Sequence, residues 1–120
     1  MLDNKLIHDW MVSYLRNRLS RDYDDVKVNF AGDKKNELNG HYPDLILGNH
    51  GFVMAIMEVE TEDSVTPEKA EEWKTVSGLG AKLIVMVPNS MKSKAIDLLW
   101  SAGIADKAAV GSYGINVNMP

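Results

Sequence analysis

The chain has 120 residues and a formal net charge of −4; 45% of its residues are apolar and none is cysteine. That length fits one domain over residues 1–120, apolar enough to build a core unaided, and the missing cysteines exclude disulfides, thiolate metal sites and cysteine nucleophiles. The negative sum argues mildly against nonspecific polyanion binding. Charges interrupt the apolar residues of the first twenty positions, unlike a signal peptide, and no run approaches the roughly 18 apolar residues of a membrane span, so a cytoplasmic setting is expected.

In chain order, Leu2, Leu6, Ile7, Trp10, Met11, Tyr14 and Leu15 recur at helical spacing and predict an amphipathic helix over 4–20. "VKVNF" (26–30) alternates as a strand does. "GDKKNELNGH" (32–41) is polar and turn-rich, a loop or loosely held segment carrying the basic pair Lys34 and Lys35. "DLILG" and "FVMAIMEVE" follow as two strands separated by "NHG". A second helix begins at Thr66, the expected N-cap, with Pro67 in first position, and ends in glycines. Its buried stripe is Ala70, Trp73 and Val76. "KLIVMV" (82–87) is an unbroken apolar run, as in a strand covered on both faces. "NSMKSKAIDLLWSAG" predicts a third helix, capped by Ser90 or Asn89 and closed near Gly103. "YGINV" (113–117) could add a last strand at the sheet edge. Short connections let the first three strands form a meander, whereas the fourth, reached across a helix, should lie parallel to one of them. The expected fold class is therefore α/β, a mixed sheet flanked by helices.

The chemistry concentrates in residues 42–63, where an apolar strand runs into acids. Alternation puts Phe52, Met54, Ile56, Glu58 and Glu60 on one strand face. Whether Asp44 shares that face depends on the hairpin loop. A two- or four-residue loop sends its carboxylate to the other side, whereas a three-residue loop, Asn49-His50-Gly51, keeps it with Glu58. Glycine in last place is what the left-handed position of such a loop requires, which makes the three-residue loop the expected one. Asp44 would then lie diagonal to Glu58, about 7–8 Å away along the backbones. Two carboxylates so placed suit Mg²⁺, which takes one or two of them together with waters and a substrate phosphate. Against this stands the ordinary alternative of solvated acids at a strand end.

The order helix, three strands, helix, strand resembles the αβββαβ core of the PD-(D/E)XK nuclease superfamily, the restriction-endonuclease-like fold. Pro43-Asp44 resembles its "PD", and Glu58-Val59-Glu60 its "(D/E)-X-K", over about residues 4–100. Glutamate at position 60 replaces the usual lysine, as in some active restriction enzymes, and the superfamily also has members that have lost catalysis. The resemblance implies Asp44 and Glu58 as ligands of Mg²⁺ (or Mn²⁺), and Glu60 as a water-orienting base or second-metal ligand. It further implies a lysine from the next helix in place of the missing one, with Lys74 the candidate and Lys69 the alternative. The implied partner is nucleic acid, with DNA expected, engaged by a homodimer because one such core covers little of a duplex. A catalytically silent binding or assembly module is the competing expectation.

Other residues carry less. His8 and Asp9 could add a group from the first helix but are expected on its wet face. His41 is expected near the site and His50 exposed in the turn, and three scattered histidines make no zinc signature. Trp10, Trp73 and Trp100 all occupy apolar helical positions and are expected in the core. "GLGAK" lacks the strand-to-helix setting of a phosphate loop, and no Ser-His-acid triad is evident.

Overall fold

A computed structural model describes residues 3–115. The chain runs α1 (Asn4–Leu19), β1 (Asp25–Val28), β2 (Leu45–Asn49), β3 (Phe52–Val59), α2 (Pro67–Ser77), β4 (Lys82–Pro88), α3 (Lys92–Ser101) and β5 (Ala108–Tyr113). The five strands form one sheet in the order β1-β2-β3-β4-β5. β1, β2 and β3 pair antiparallel, and β4 and β5 continue parallel to β3. Connection length accounts for the change of direction: the tight turn between β2 and β3 can only reverse the strand, while α2 and α3 span the distance a parallel return needs.

Each face of the sheet carries its own core. Leu45, Leu47, Ala55, Met57 and Val59 pack under Met11, Val12 and Leu15 of α1. Ile56, Leu83, Val85 and Val87 pack under Ala70, Trp73 and Val76 of α2 and Ala95 and Leu99 of α3. β4 is apolar from Leu83 to Val87 because both its faces are covered: Ile84 and Met86 point to the α1 side while Leu83, Val85 and Val87 are fully buried on the other.

Helix ends follow the local sequence in α1 and α2. Asp3 caps α1 by accepting from Lys5 N at 2.8 Å, and Thr66 caps α2 by accepting from Lys69 N at 3.1 Å, with Pro67 in first position. α3 differs from expectation. Asn89–Met91 make a 3₁₀ turn first, and neither Ser90 nor Asn89 caps the helix through its side chain. Ser90 Oγ instead donates to Glu62 Oε1 at 3.2 Å. The last strand also comes earlier than "YGINV". It is Ala108–Tyr113, drawn into place by pairing with β4, and residues 116 and 117 lie outside the described ones.

Two tryptophans expected in the core are on the surface: Trp10 is 53% and Trp100 72% exposed. α1 carries two apolar stripes, and the sheet buries Met11, Val12 and Leu15, leaving Leu6, Trp10 and Tyr14 outside. Trp10 and Tyr14, one turn apart, stack on each other at 6.1 Å between ring centroids.

The β2–β3 hairpin sets the site. Its loop has two residues, His50 and Gly51, not three; Asn49 pairs with Phe52, and φ is 54° at His50 and 82° at Gly51. Both central residues are left-handed, as the hairpin turn matching strand twist demands. A two-residue loop alone would turn Asp44 away from Glu58. The register then shifts, because Gly48 pairs with Val53 but Leu47 pairs with Ala55, which leaves Met54 as an extra residue on β3. This bulge restores the parity. Gly48 permits it, since a Cβ there would stand 3.0 Å from Phe52 O. Continued from Leu45–Met57, the register sets Asp44 directly opposite Glu58 rather than diagonal to it.

Candidate metal-binding and phosphodiester site

Asp44 lies just ahead of β2, where the ladder opens. Pro43 O, which the register would offer to Val59 N, instead accepts from Asn29 Nδ2 at 2.7 Å. The Asp44 side chain takes the freed donor, its Oδ2 accepting from Val59 N at 2.7 Å. Its Oδ1 faces His8 Nε2 at 3.0 Å, and His8 Nδ1 lies 2.9 Å from Asp9 Oδ1. Asp9 Oδ1 also accepts from Ala31 N at 2.8 Å. An imidazole with a carboxylate on each nitrogen is held as imidazolium. Burial opposes that charge, but Asp44 and Asp9 outweigh it and push the His8 pKa up to about 9. The Asp9 carboxyl is lowered despite its partial burial, held by the Ala31 amide and by His8. His8 is thus part of the site and not on the wet face. A sequence signal existed: His8 precedes Met11, Val12 and Leu15 by three, four and seven positions, which is the buried stripe.

Glu58 stands across from Asp44; burial first, then the Asp44 charge, raise its pKa well above the carboxylate range. Two carboxyls this close repel when both are charged, and a cation between them would relieve that repulsion.

Glu60 turns elsewhere. It is only 4% exposed, with Oε2 accepting from Trp73 Nε1 and Oε1 from Ser64 Oγ, both at 2.8 Å. Burial raises its pKa, opposed in part by Trp73, Lys69 and Ser64. Trp73 is core, as expected, yet its indole N–H serves the site. The backbone of Glu60 is pinned too: its N–H donates to Met86 O and its carbonyl accepts from Tyr113 Oη, both at 2.8 Å. Burial, with Glu60 and Glu62 nearby, lifts the Tyr113 pKa to about 12.

The lysine at this place is Lys69. Its Nζ lies 3.1 Å from Glu72 Oε2 and 3.9 Å from Glu60 Oε1, and these acids hold it charged against the opposing effect of burial. Lys74, the favoured residue from sequence, is exposed and makes no ion pair with the acids. Helix geometry accounts for the exchange. Lys69 precedes the inward-facing Trp73 by four residues and shares its face, whereas Lys74 follows it and is rotated by about 100°. The acids therefore have two neighbouring cations: Lys69, the alternative offered by the sequence, and His8, which was expected on the wet face.

Two cavities meet at these side chains. One of about 250 Å³ is bordered by Lys5, His8, Asp44, Glu58 and Lys69. The other, of about 300 Å³, is bordered by His41, Tyr42, Glu58, Glu72 and Trp73. His41 is thus near the site, as expected.

Among the described residues, no group of three or more Asp, Glu and His side chains is arranged to hold a metal ion. The reason is visible in the bonds: Glu60 is spent on Trp73 and Ser64, and both His8 nitrogens face carboxylates. What remains is the Asp44–Glu58 pair beside a cavity. That set does not suit zinc, which takes three or four protein ligands, chiefly His and Cys. It does suit Mg²⁺, which keeps several waters.

The loop leading into the site is held more firmly than its polar sequence indicates. Asn29, 1% exposed, donates through Nδ2 to Asn36 O and Pro43 O, and accepts at Oδ1 from Lys35 N and Asn36 N. Asn39 and Gly40, with φ of 50° and 85°, close a tight turn bridged by Leu38 and His41. The chain matches no protein-family model, no curated protein and no solved structure.

Proposed function

We propose that the chain is a small Mg²⁺-dependent nuclease-like domain that hydrolyses phosphodiester bonds in nucleic acid. The observation carrying this reading is the Asp44–Glu58 pair. Two opposed carboxyls from adjacent strands line the mouth of one cavity, with the Lys69 ammonium near Glu60 on the same side. The element order α1-β1-β2-β3-α2-β4 is similar to the PD-(D/E)XK core, and Pro43-Asp44 and Glu58-Val59-Glu60 resemble its motifs. In this proposal Asp44 and Glu58 would hold the ion as carboxylates. Mg²⁺ or Mn²⁺ bound there would polarise the scissile phosphate and acidify an attacking water. Lys69 takes the part of the motif lysine, placing positive charge where the phosphate arrives. Glu60, seated among Trp73, Ser64 and Lys69, orients that lysine instead of taking a proton from water. His8 fixes the rotamer of Asp44.

A second reading has an observation of its own. Both oxygens of Asp44 already have partners, and Glu60 is sealed from water. Such a site also fits a member that binds nucleic acid without cutting it.

Calorimetric titration of Mn²⁺ into wild type, Asp44→Asn and Glu58→Gln, with cleavage of labelled DNA and RNA alongside, tests both. Wild type should bind Mn²⁺ and be stabilised by it through mass action, and both variants should lose the heat and any cleavage. Equal, negligible heats for all three proteins would overturn the nuclease reading; Mn²⁺-independent binding without cleavage would favour the second.

A further inference from the structure

The cavity of about 300 Å³ on the α2 side of Glu58 is not needed to hold an ion, and its rim bears an aromatic ring. Tyr42 borders it together with His41, Pro43 and Glu72. The Tyr42 residue is 37% exposed, although it lies only two positions from Asp44. Its backbone is held from both sides. Upstream, the Asn39-Gly40 turn is closed by Leu38 and His41, which exchange hydrogen bonds at 2.8 and 3.0 Å. Downstream, Asn29 Nδ2 binds Pro43 O at 2.7 Å. Lys34 Nζ stands over one face of the Tyr42 ring, 5.9 Å from its centre.

A partly exposed aromatic ring on a rigid support, with a cation over one face, can stack a nucleobase on the other. We infer that Tyr42 and the cavity behind it form a subsite for one unpaired base, so that the substrate of the proposed nuclease is single-stranded nucleic acid. This inference rests on the proposed function for its substrate class. Size favours it: the cavity admits about one base, and the bases of a duplex are stacked away from such a pocket. Position favours it too. Two residues of chain span at most about 7 Å, so a base on Tyr42 sets its own phosphate near Asp44 and Glu58. Charge agrees: Lys34 beside the ring can meet that nucleotide's backbone, offsetting the acids deeper in the site. Glu72, at the cavity edge, offers an acceptor to a base that presents an amino group.

The test uses a fluorescein-labelled single-stranded DNA 12-mer and a duplex of the same sequence, followed by anisotropy, with Mn²⁺ calorimetry on every protein. Wild type should bind the single strand more tightly than the duplex. Tyr42→Ala should weaken single-strand binding by about tenfold or more, while Tyr42→Phe, which keeps the ring, should retain it. Lys34→Ala should lower affinity and flatten its salt dependence. Mn²⁺ heats should be unchanged in all three variants, because none is an ion ligand; this also guards against unfolding as the cause. Equal single-strand affinity of Tyr42→Ala and wild type, preference for the duplex, or no binding of either probe would overturn the subsite. Loss of Mn²⁺ heat in wild type would instead overturn the metal reading, whatever Tyr42 does.

Discussion

Asn29→Ala should be the most damaging single change outside the two apolar cores, and the cost can be worked from its bonds. The Asn29 side chain makes four: donations to Asn36 O at 2.8 Å and Pro43 O at 2.7 Å, and acceptances from Asn36 N at 2.9 Å and Lys35 N at 3.2 Å. A net hydrogen bond contributes about 0.5–1.5 kcal/mol, and more is lost where a buried partner is left unpaired, so truncation should cost about 2–5 kcal/mol. For a chain of this size that is a fall in Tm on the order of 10 °C. Asn29→Asp is the sharper control. It keeps both acceptances but sets a carboxylate oxygen against two carbonyls, so near neutral pH it should be at least as unstable as the alanine variant. The Pro43 bond also fixes the chain just ahead of Asp44, so Mn²⁺ affinity should fall in both variants at temperatures where they remain folded. Urea denaturation gives the free energies, and limited proteolysis reports whether residues 31–43 open first. A loss below about 0.5 kcal/mol, the range of an ordinary surface substitution, with unchanged proteolysis, would refute the claim that Asn29 holds this loop.

Three further outcomes follow from the site. Glu60→Gln should leave Tm unchanged or raised near neutral pH, because it removes a buried charge while its amide can still accept from Trp73 and donate to Ser64 Oγ; a clear loss in thermal melts would mean that the ionised carboxylate is required. His8 has a folded pKa of about 9 against an ordinary 6.5, so its contribution to stability is fully present below pH 6.5 and lost as pH rises through 9. The Tm advantage of wild type over His8→Gln should therefore shrink between pH 6 and pH 10, and a constant difference would contradict the imidazolium assignment. Glu58 has a raised pKa in the fold, so protonation favours the native state: relative to Glu58→Gln, wild type should gain stability as pH falls from neutrality towards 4.5, measured by the same melts.

How much of this was legible in the sequence varies with the physics of each feature. Patterns that repeat over many residues were readable, and so β4, α2 and the element order stood out: "KLIVMV" is apolar because both faces are covered, and Thr66-Pro67 marks a helix start by local chemistry alone. Choices between equivalent stripes were not. Leu6-Trp10-Tyr14 and Met11-Val12-Leu15 both recur at helical spacing, and only the sheet beneath decides which is buried. That decision drew His8 inward and left Trp10 outside. Lys69 and Lys74 were separable by rotation about α2, given that Trp73 points in. Asn29 was invisible as a keystone, since its four bonds join positions six to fourteen residues away.

The hairpin carries the sharpest lesson, because the sequence reading reached the right face through the wrong loop. A glycine ending "NHG" is compatible with a three-residue loop, and equally with the two-residue turn that forms, in which both His50 and Gly51 are left-handed. Loop length alone then predicts that Asp44 points away from Glu58. The bulge at Met54 reverses that outcome, and Gly48 is what makes it sterically possible. Side-chain facing depends only on whether the residues between two positions are odd or even in number, so one extra residue in β3 is worth as much as one extra in the turn. The pairing of Asp44 with Glu58 is therefore set four residues along each strand from the acids, by Gly48 and the exposed Met54. A single deletion at Met54 should separate the two carboxyls more completely than any substitution within the site.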